Sequence, residues 1–238
     1  MKASGNLETI DAFLSYNSKD RVLAGHIKEM LEYFGISVFL AHSDIEGGNR
    51  WERAIIDKIR TCDVVLALLT PRFRRSKWTD HEAGMGIGAS RQIIPLSVDG
   101  VKPYGFIARY QASKLNSAEL AKSCKNIILA MKNKTKLREK VQNSFIESFV
   151  KSGSYIEANE KSELLEELGP YSGKQVNKIL RGYLHNSQIH RPTTASSRVR
   201  AFLTRNRKLI RAVEEGRGVT RLRASELERL LATAIEED

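Results

Sequence analysis

The chain has 238 residues, of which 41% are hydrophobic and 28% are charged. This length suits one mid-sized domain followed by a smaller one, and the composition excludes wholesale disorder because it supplies enough apolar material to bury a core. The formal net charge of +11 and the pI of about 9.7 favour acidic partners, such as nucleic acid, phosphorylated small molecules or anionic lipid.

Cysteine usage and hydropathy both indicate a reducing, aqueous compartment. Only two cysteines occur, Cys62 and Cys124, and they do not form a Cys-x-x-Cys motif. The first ten residues, MKASGNLETI, lack the apolar stretch of a secretory signal. No segment approaches the roughly 20 apolar residues that cross a bilayer. We therefore expect a cytoplasmic protein with no membrane partner.

The first half of the sequence alternates between strand-like and helix-like segments, which predicts a parallel sheet with helices on both faces. The predicted strands are 10–16, 37–40, 64–69, 92–98 and a short one near 110–115, and the predicted helices are 20–34, 51–60, 78–90 and 118–132. Five strands in this order suit a flavodoxin-like α/β fold, in which ligands bind beyond the carboxyl ends of the strands.

Beyond Asn116 the pattern is purely helical. One helix closes the first domain and four more are predicted after it, so we expect one domain over residues 1–134 and a small all-α domain over residues 135–238. Gly169 and Pro170 separate two of these helices, and Ser225 with Glu228 forms a capping box. One helix is marked by an apolar stripe: Val176, Ile179, Leu180, Tyr183 and Leu184.

The first predicted strand ends in Ser15 and Tyr16 and is followed by Asn17 and Ser18 at the start of a helix. This segment resembles the first conserved box of TIR (Toll/interleukin receptor) domains. Polar side chains at this place lie where unpaired helix N–H groups begin, which suits phosphate or ribose, so Ser15, Tyr16 and Asn17 are candidate substrate contacts. The alternative is that the polar residues only cap the helix, because serine and asparagine are good N-caps.

A ten-residue polar connection, 42–51, follows the second predicted strand and contains the pair Gly47 and Gly48. It resembles the BB loop of TIR domains. Glycines permit backbone geometries closed to other residues, which is compatible with a flap over a pocket. In enzymatic members of the family an acidic residue of this loop approaches the substrate, and Glu46 is the matching position. The alternative is that Asp44 and Glu46 are surface acids without a role.

The helix predicted at 78–90 begins with Trp78-Thr-Asp-His-Glu82. This matches the Trp-x-x-x-Glu pattern whose glutamate is catalytic in NAD-cleaving TIR domains, and the i, i+4 spacing predicts both side chains on one helix face. Cleavage of the nicotinamide–ribose bond develops positive charge at the sugar, which a carboxylate stabilises, and no acid is needed because nicotinamide leaves neutral. Glu82 is the candidate catalytic residue and Trp78 a candidate substrate contact. Taken alone, such a pair is usually a half-buried helix face.

Three matching segments in family order extend the resemblance to TIR domains over the first domain. It implies an NAD+ glycohydrolase of prokaryotic type, as in antiphage defence or signalling, with NAD+ as substrate and no further cofactor or metal. It also implies activation when TIR domains associate as homo-oligomers, and a product that is ADP-ribose or a cyclic isomer. The alternative is a non-catalytic TIR scaffold that recruits other TIR domains, against which the presence of Glu82 argues.

Other patterns carry weaker signals. The loop from Pro71 to Lys77 holds four cations, and three interpretations stay open: attraction of a diphosphate, a solvated loop, or an interface with another TIR domain. Gly84, Gly86 and Gly88 resemble a nucleotide-binding loop, but they fall inside a predicted helix and so indicate close helix packing. The five histidines show no metal-ligand spacing, and no Ser/His/Asp nucleophile pattern is visible.

The helical tail carries most of the excess positive charge, since no Asp or Glu occurs between Glu167 and Glu214. Two short amphipathic helices around Leu180 and Phe202 could present this charge to nucleic acid, as a helix-turn-helix does. An acidic protein partner or a self-assembly surface explains the charge equally well. The basic residues of this interval are Lys174, Lys178, Arg181, Arg191, Arg198, Arg200, Arg205, Arg207, Lys208 and Arg211.

Overall fold

The computed structural model describes residues 8–40, 51–191 and 193–210. The chain divides into two compact units between Ser144 and Phe145, a point inside the helix Arg138–Val150. The first turns of that helix belong to the first unit: the Ser144 hydroxyl accepts a 2.8 Å hydrogen bond from the backbone N–H of Ile10, and Lys140 pairs with Asp63 at 2.8 Å. These contacts extend the first unit beyond residue 134.

A five-stranded parallel sheet forms the centre of the first unit, with strand order β2-β1-β3-β4-β5. The predicted flavodoxin-like fold is confirmed, and the bounds of the second, third and fourth strands coincide with the predicted ones. All six residues of the third strand are buried, as expected for a central parallel strand covered on both faces. The strands are β1 (Asp11–Ser15), β2 (Ser37–Leu40), β3 (Val64–Leu69), β4 (Gln92–Val98) and β5 (Ser113–Leu115).

The edge strand β5 is shorter than predicted. Residues Gly105–Ile107 form a 3-10 turn, and the N–H of Tyr110 bonds to the carbonyl of Ile107 at 3.0 Å. The backbone groups just before Ser113 therefore form hydrogen bonds within this turn rather than with β4. An edge strand pairs on one side only, so the preceding loop decides its length.

Four helices flank the sheet: α1 (Arg21–Tyr33), α2 (Trp51–Thr61), α3 (Lys77–Gly88) and α4 (Leu120–Lys132). Each agrees with its predicted bounds to within two residues. Gly35 follows α1 with φ of +89°, the left-handed conformation in which a glycine commonly ends a helix. Gly86 lies against β3, where an added Cβ would come within 2.9 Å of Val65 Cγ2, so the predicted close packing is found at this glycine. The prediction is wrong for Gly84 and Gly88, where an added Cβ would meet no heavy atom within 4 Å.

The second unit is helical, as predicted, but two of its described helices are single turns. One follows α6 after the single residue Glu163, and the other begins at the Asn186 cap, whose backbone is extended. The predicted apolar stripe faces the core of this unit, where Ile179 and Val176 are fully buried. The helices are α5 (Arg138–Val150), α6 (Tyr155–Ser162), α7 (Leu164–Glu167), α8 (Gly173–His185), α9 (Ser187–His190) and α10 (Thr194–Arg205).

Several cations of the basic interval are paired within the second unit. Lys178 forms an ion pair with Glu147, and Arg205 forms one with Glu166. Arg198 donates to the hydroxyl of Ser162 at 3.1 Å. The acids that balance these cations come from α5 and α7, so part of the charge excess read along the sequence is neutralised in space.

Two sequence features fall outside the described residues. The predicted capping box of Ser225 and Glu228 is one, and the loop 42–51, apart from the start of α2 at Trp51, is the other. Within the described ranges, no helix combines the length and apolar character that a bilayer crossing requires.

Candidate active site

The carboxyl end of β1 and the middle of α3 meet at a buried pair of polar side chains. The Ser15 hydroxyl donates to Glu82 Oε2 at 2.5 Å, across 67 positions of sequence. Both side chains are fully buried. Parallel strands collect their carboxyl ends at one edge of the sheet, which is where ligands bind in this class of fold.

Only one of the two carboxyl oxygens of Glu82 has a hydrogen-bond partner among the described residues. Its second oxygen, Oε1, is buried and has no hydrogen-bond partner among the described residues. Burial raises the pKa of Glu82 to about 7, and the hydrogen bond from Ser15 opposes part of that rise. The carboxyl group thus changes charge near neutral pH and presents an unused acceptor oxygen.

The start of α3 is tied to the loop before it by Thr79. Its hydroxyl donates to the carbonyls of Phe73 and Ser76, at 2.8 and 2.9 Å, and both Thr79 and Phe73 are fully buried. These bonds satisfy carbonyls near the helix start and set the helix against the sheet. The sequence interpretation missed Thr79, because a threonine in a first helical turn gives no signal of which carbonyls it reaches.

Trp78 and Glu82 lie one turn apart on α3 but in different environments. The Trp78 side chain is 40% exposed, and its ring meets His81 edge to face at 6.2 Å between centroids. It lines a cavity of about 770 Å³ between α2, α3 and the Gly105–Ile107 turn, and Glu82 is not among the described lining residues. The shared helix face predicted from the spacing therefore divides into an exposed position and a buried one.

The other predicted contacts are placed as follows. Asn17 caps the 3-10 turn after β1, because its Oδ1 accepts from the N–H of Lys19 at 3.1 Å, and its Nδ2 donates to the carbonyl of Arg72 at 3.0 Å. This is the capping role that the sequence left open. Tyr16 is fully buried. Glu46 lies outside the described residues.

Two cations of the basic loop before α3 contact side chains of the same unit. Arg72 donates to Asp20 at 2.7 Å, and the hydroxyl of Thr70 donates to the other oxygen of Asp20 at 2.6 Å. Arg74 stacks over the ring of Tyr104 at 5.0 Å. The sequence did not predict these contacts, since Asp20 and Thr70 are 50 positions apart.

The two cysteines are free and buried. Burial raises the pKa of Cys62 to about 11 and that of Cys124 to about 12, so both thiols stay protonated near neutral pH and are poor nucleophiles. Over the described ranges no three His, Cys, Asp or Glu side chains converge in a way that would hold a metal ion.

Comparison with known proteins identifies the first unit. A family model for the TIR domain matches residues 12–127. The chain carries a TIR domain. The matched range includes Ser15, Glu46, Trp78 and Glu82.

Two similar proteins are TIR proteins as well. A probable 2' cyclic ADP-D-ribose synthase, BdTIR of Brachypodium distachyon, is 27% identical over 105 residues, which cover 43% of this chain and 46% of that protein. The match thus spans about half the length of this relative. The crystal structure of the TIR domain of the Toll-related receptor TRR-2 from Hydra magnipapillata matches at 24% identity and a TM-score of 0.40, covering 44% of this chain and 84% of that one.

Proposed function

We propose that the TIR domain cleaves NAD+ between nicotinamide and ribose, with Glu82 as the catalytic carboxylate. The observation that carries this proposal is the state of Glu82: fully buried, held through one oxygen by Ser15, with its other oxygen unpartnered among the described residues and its pKa raised to about 7. Similarity to a probable 2' cyclic ADP-D-ribose synthase supports it.

The reaction needs a negative charge next to the reacting sugar. When the C–N bond breaks, its electron pair stays on the nitrogen, which turns the cationic nicotinamide ring into neutral nicotinamide. Positive charge develops at the anomeric carbon, and ionised Glu82 stabilises it or accepts a hydrogen bond from a ribose hydroxyl through Oε1. Water then adds at the carbon and releases a proton, giving ADP-ribose, or a group of ADP-ribose itself adds and gives a cyclic isomer.

Ser15 is a positioning residue in this scheme, because its hydrogen bond holds one oxygen of Glu82 and leaves the other for substrate. Trp78 and Glu46 are proposed substrate contacts. The geometry favours supporting roles for Tyr16, which is buried, and for Asn17, whose side chain caps a turn. NAD+ enters as substrate, and the scheme uses no metal or additional cofactor.

We further propose that association with other TIR domains raises the activity, as the resemblance to the family implies. A role in antiphage defence or signalling, in a cytoplasmic setting, follows from the same resemblance and rests on this activity. If the activity is absent, a TIR scaffold that only recruits other TIR domains becomes the better description.

The test is release of nicotinamide from NAD+ by the full chain at high protein concentration, followed by chromatography. We expect release by the wild type, and a loss of at least about a hundredfold in Glu82→Gln, the size typical of removing one group that stabilises transition-state charge. Glu29→Gln is the matched control, because Glu29 is an exposed carboxylate on α1. Equal activity in Glu82→Gln, or no release by the wild type even under crowding, would contradict the proposal.

A further inference from the structure

The cations of the helical unit fall into two groups, and those on α10 contact acids of the same unit. Arg198 lies 3.9 Å from a carboxyl oxygen of Glu163, and Arg205 forms an ion pair with Glu166. The acids come from the end of α6 and from α7, which pack against α10. The positive charge of these two arginines is therefore balanced within the unit.

The second group lies along one face of α8. Lys174, Lys178, Arg181 and His185 follow one another at intervals of four, three and four residues, the spacing that aligns side chains on a helix. Three of them are exposed, and Lys174, Arg181 and His185 form no ion pair with any described residue. At 1.5 Å per residue, this α8 basic face, defined by the four residues, is about 16 Å long.

The last turn of α5 is held against α8. The two helices approach closely at Gly182, where an added Cβ would overlap the side chain of Val150. Just beyond α8, the side-chain amide of Asn186 donates to the carbonyls of Val150 and Ser152, at 3.1 and 2.9 Å. Side chains at the end of α5 therefore share a surface with α8.

The end of α5 brings one more cation and one acid to this surface. Glu147 pairs with Lys178 of the α8 basic face and, at 3.7 Å, with Lys151, whose side chain is 76% exposed. Together with Lys174 and Arg181, the two lysines make four cations around one carboxylate. The surface thus keeps a net positive charge, in contrast to the balanced arginines of α10.

The surface lacks the features of a protein or membrane contact. All residues of α8 are described, and none of its large hydrophobic side chains is exposed. Protein interfaces have an apolar centre, and helices that lie in a membrane surface present apolar side chains to the lipid. Single strands of nucleic acid are held by aromatic rings, but Tyr183 of α8 is buried. A row of cations without apolar neighbours fits the phosphates of a duplex.

We propose that the α8 basic face and Lys151 bind the phosphate backbone of double-stranded nucleic acid. The binding is independent of base sequence, because contacts to phosphates position a protein but do not read the bases. This interaction goes beyond NAD+ cleavage, and it does not depend on whether Glu82 is catalytic.

The experiment measures binding of the full chain to fluorescently labelled duplexes by fluorescence anisotropy. One duplex is DNA and the other RNA, each of mixed sequence, and salt is varied from about 50 to 200 mM. We expect the logarithm of the affinity to fall linearly with the logarithm of the salt concentration. The slope should be about −3 to −4, since each neutralised phosphate contributes about −0.9. Binding of either duplex with this slope supports the proposal, and the tighter one identifies the partner. No binding of either at 50 mM salt would overturn it.

A triple variant locates the binding surface. Lys151→Gln, Lys174→Gln and Arg181→Gln together remove three cations at exposed positions, so the fold should persist. We expect a slope shallower by about 2 to 3 and an affinity at least about tenfold weaker at 50 mM salt.

The matched control removes the same charge from three exposed lysines of the first unit: Lys102→Gln, Lys114→Gln and Lys136→Gln. It should bind the duplex with the wild-type slope. An equal loss in both triple variants would show that only the net charge of the protein matters, and an unchanged slope in the first variant would place the duplex elsewhere. Either result overturns the proposal.

Two further results would assign the surface to another partner. If poly-L-glutamate displaces the duplex at an equal concentration of negative charge, an acidic protein is the better partner. If the first triple variant sediments more slowly than the wild type without nucleic acid, the surface is a contact between copies of the chain. Neither is expected, because the surface lacks the apolar centre of a protein interface.

Discussion

Each unit of the protein buries an ionisable side chain, and the two side chains differ in how fully their polar atoms are hydrogen-bonded. In the helical unit the ammonium group of Lys161 is buried, pairs with Glu157 and donates to the Ser148 hydroxyl at 2.6 Å. In the TIR domain Glu82 receives one hydrogen bond from Ser15 and keeps a buried oxygen unpartnered among the described residues. A satisfied buried charge supports the fold, whereas a half-satisfied one marks a candidate site of chemistry.

The two carboxyl groups involved shift in opposite directions. Burial raises the pKa of Glu157, but hydrogen bonds from Lys161 and from the Gly153 N–H outweigh it and hold that pKa below its usual value. For Glu82 burial outweighs the single bond from Ser15, and the pKa rises to about 7. The first group is stabilised as an anion and the second as a neutral acid.

The largest stability effect is expected at Glu82. Its folded pKa lies above the ordinary value, so its contribution to stability is fully present below about pH 4.5 and is lost as pH rises through about 7. Ionisation then costs about 3 kcal/mol at 1.36 kcal/mol per pKa unit. Glu82→Gln should therefore be more stable than the wild type above pH 8 and lose this dependence.

Urea unfolding followed by tryptophan fluorescence measures this effect, because Trp51 and Trp78 both lie in the first unit. Subtracting the unfolding free energy of the wild type from that of the variant removes the contributions of the other titrating groups. Glu82 is expected to ionise between pH 5 and pH 9. If the difference in unfolding free energy between Glu82→Gln and the wild type stays constant over this range, Glu82 is not a neutral acid in the folded protein.

The buried lysine gives the contrasting result. Lys161→Met keeps the length of the side chain but removes its charge, and we expect a loss of about 2 kcal/mol, less than for a fully buried pair because Glu157 keeps contact with water. Nicotinamide release per folded molecule should not change. Circular dichroism during urea unfolding reports the loss, and Lys151→Met, at an exposed lysine, is the control. An unchanged unfolding curve in Lys161→Met would remove the contrast between the two buried charges.

The smallest effect is expected at Ser15. Ser15→Ala removes the bond that favours ionised Glu82, so the acid limb of the profile of kcat/KM against pH, expected near pH 7, should move to higher pH. Activity at pH 7 then falls severalfold and recovers at higher pH, whereas a merely structural role would lower activity at every pH. Ser15→Thr, which retains the hydroxyl, should restore the wild-type profile.

Local patterns predicted much of the TIR domain. The short apolar runs at Ser37–Leu40, Val64–Leu69 and Gln92–Val98 predicted those strands with their observed bounds, because each run is too short for a helix and lies between helix-like segments. The capping alternative for Asn17 also depended on local chemistry, and the structure shows that cap. Residue types at fixed spacing were sufficient in each of these places.

The candidate site was only partly predictable, since its chemistry depends on distant contacts. Glu82 was selected from a short motif, but its hydrogen bond to Ser15 joins β1 to α3 across 67 positions. The ion pair of Lys178 with Glu147 likewise joins residues 31 positions apart, which no local pattern connects. Charge counted along the chain overstated the basic surface for this reason.

The sequence by itself determined the order of strands and helices, the TIR motifs and the choice of Glu82, because each follows from residue type and short-range periodicity. Only the tertiary structure decided that Glu82 is buried with one oxygen unpartnered among the described residues, that Trp78 lines a cavity, and that Lys161 forms an ion pair with Glu157. Burial and dielectric surroundings set the charge state of a side chain, and both depend on residues brought together by folding.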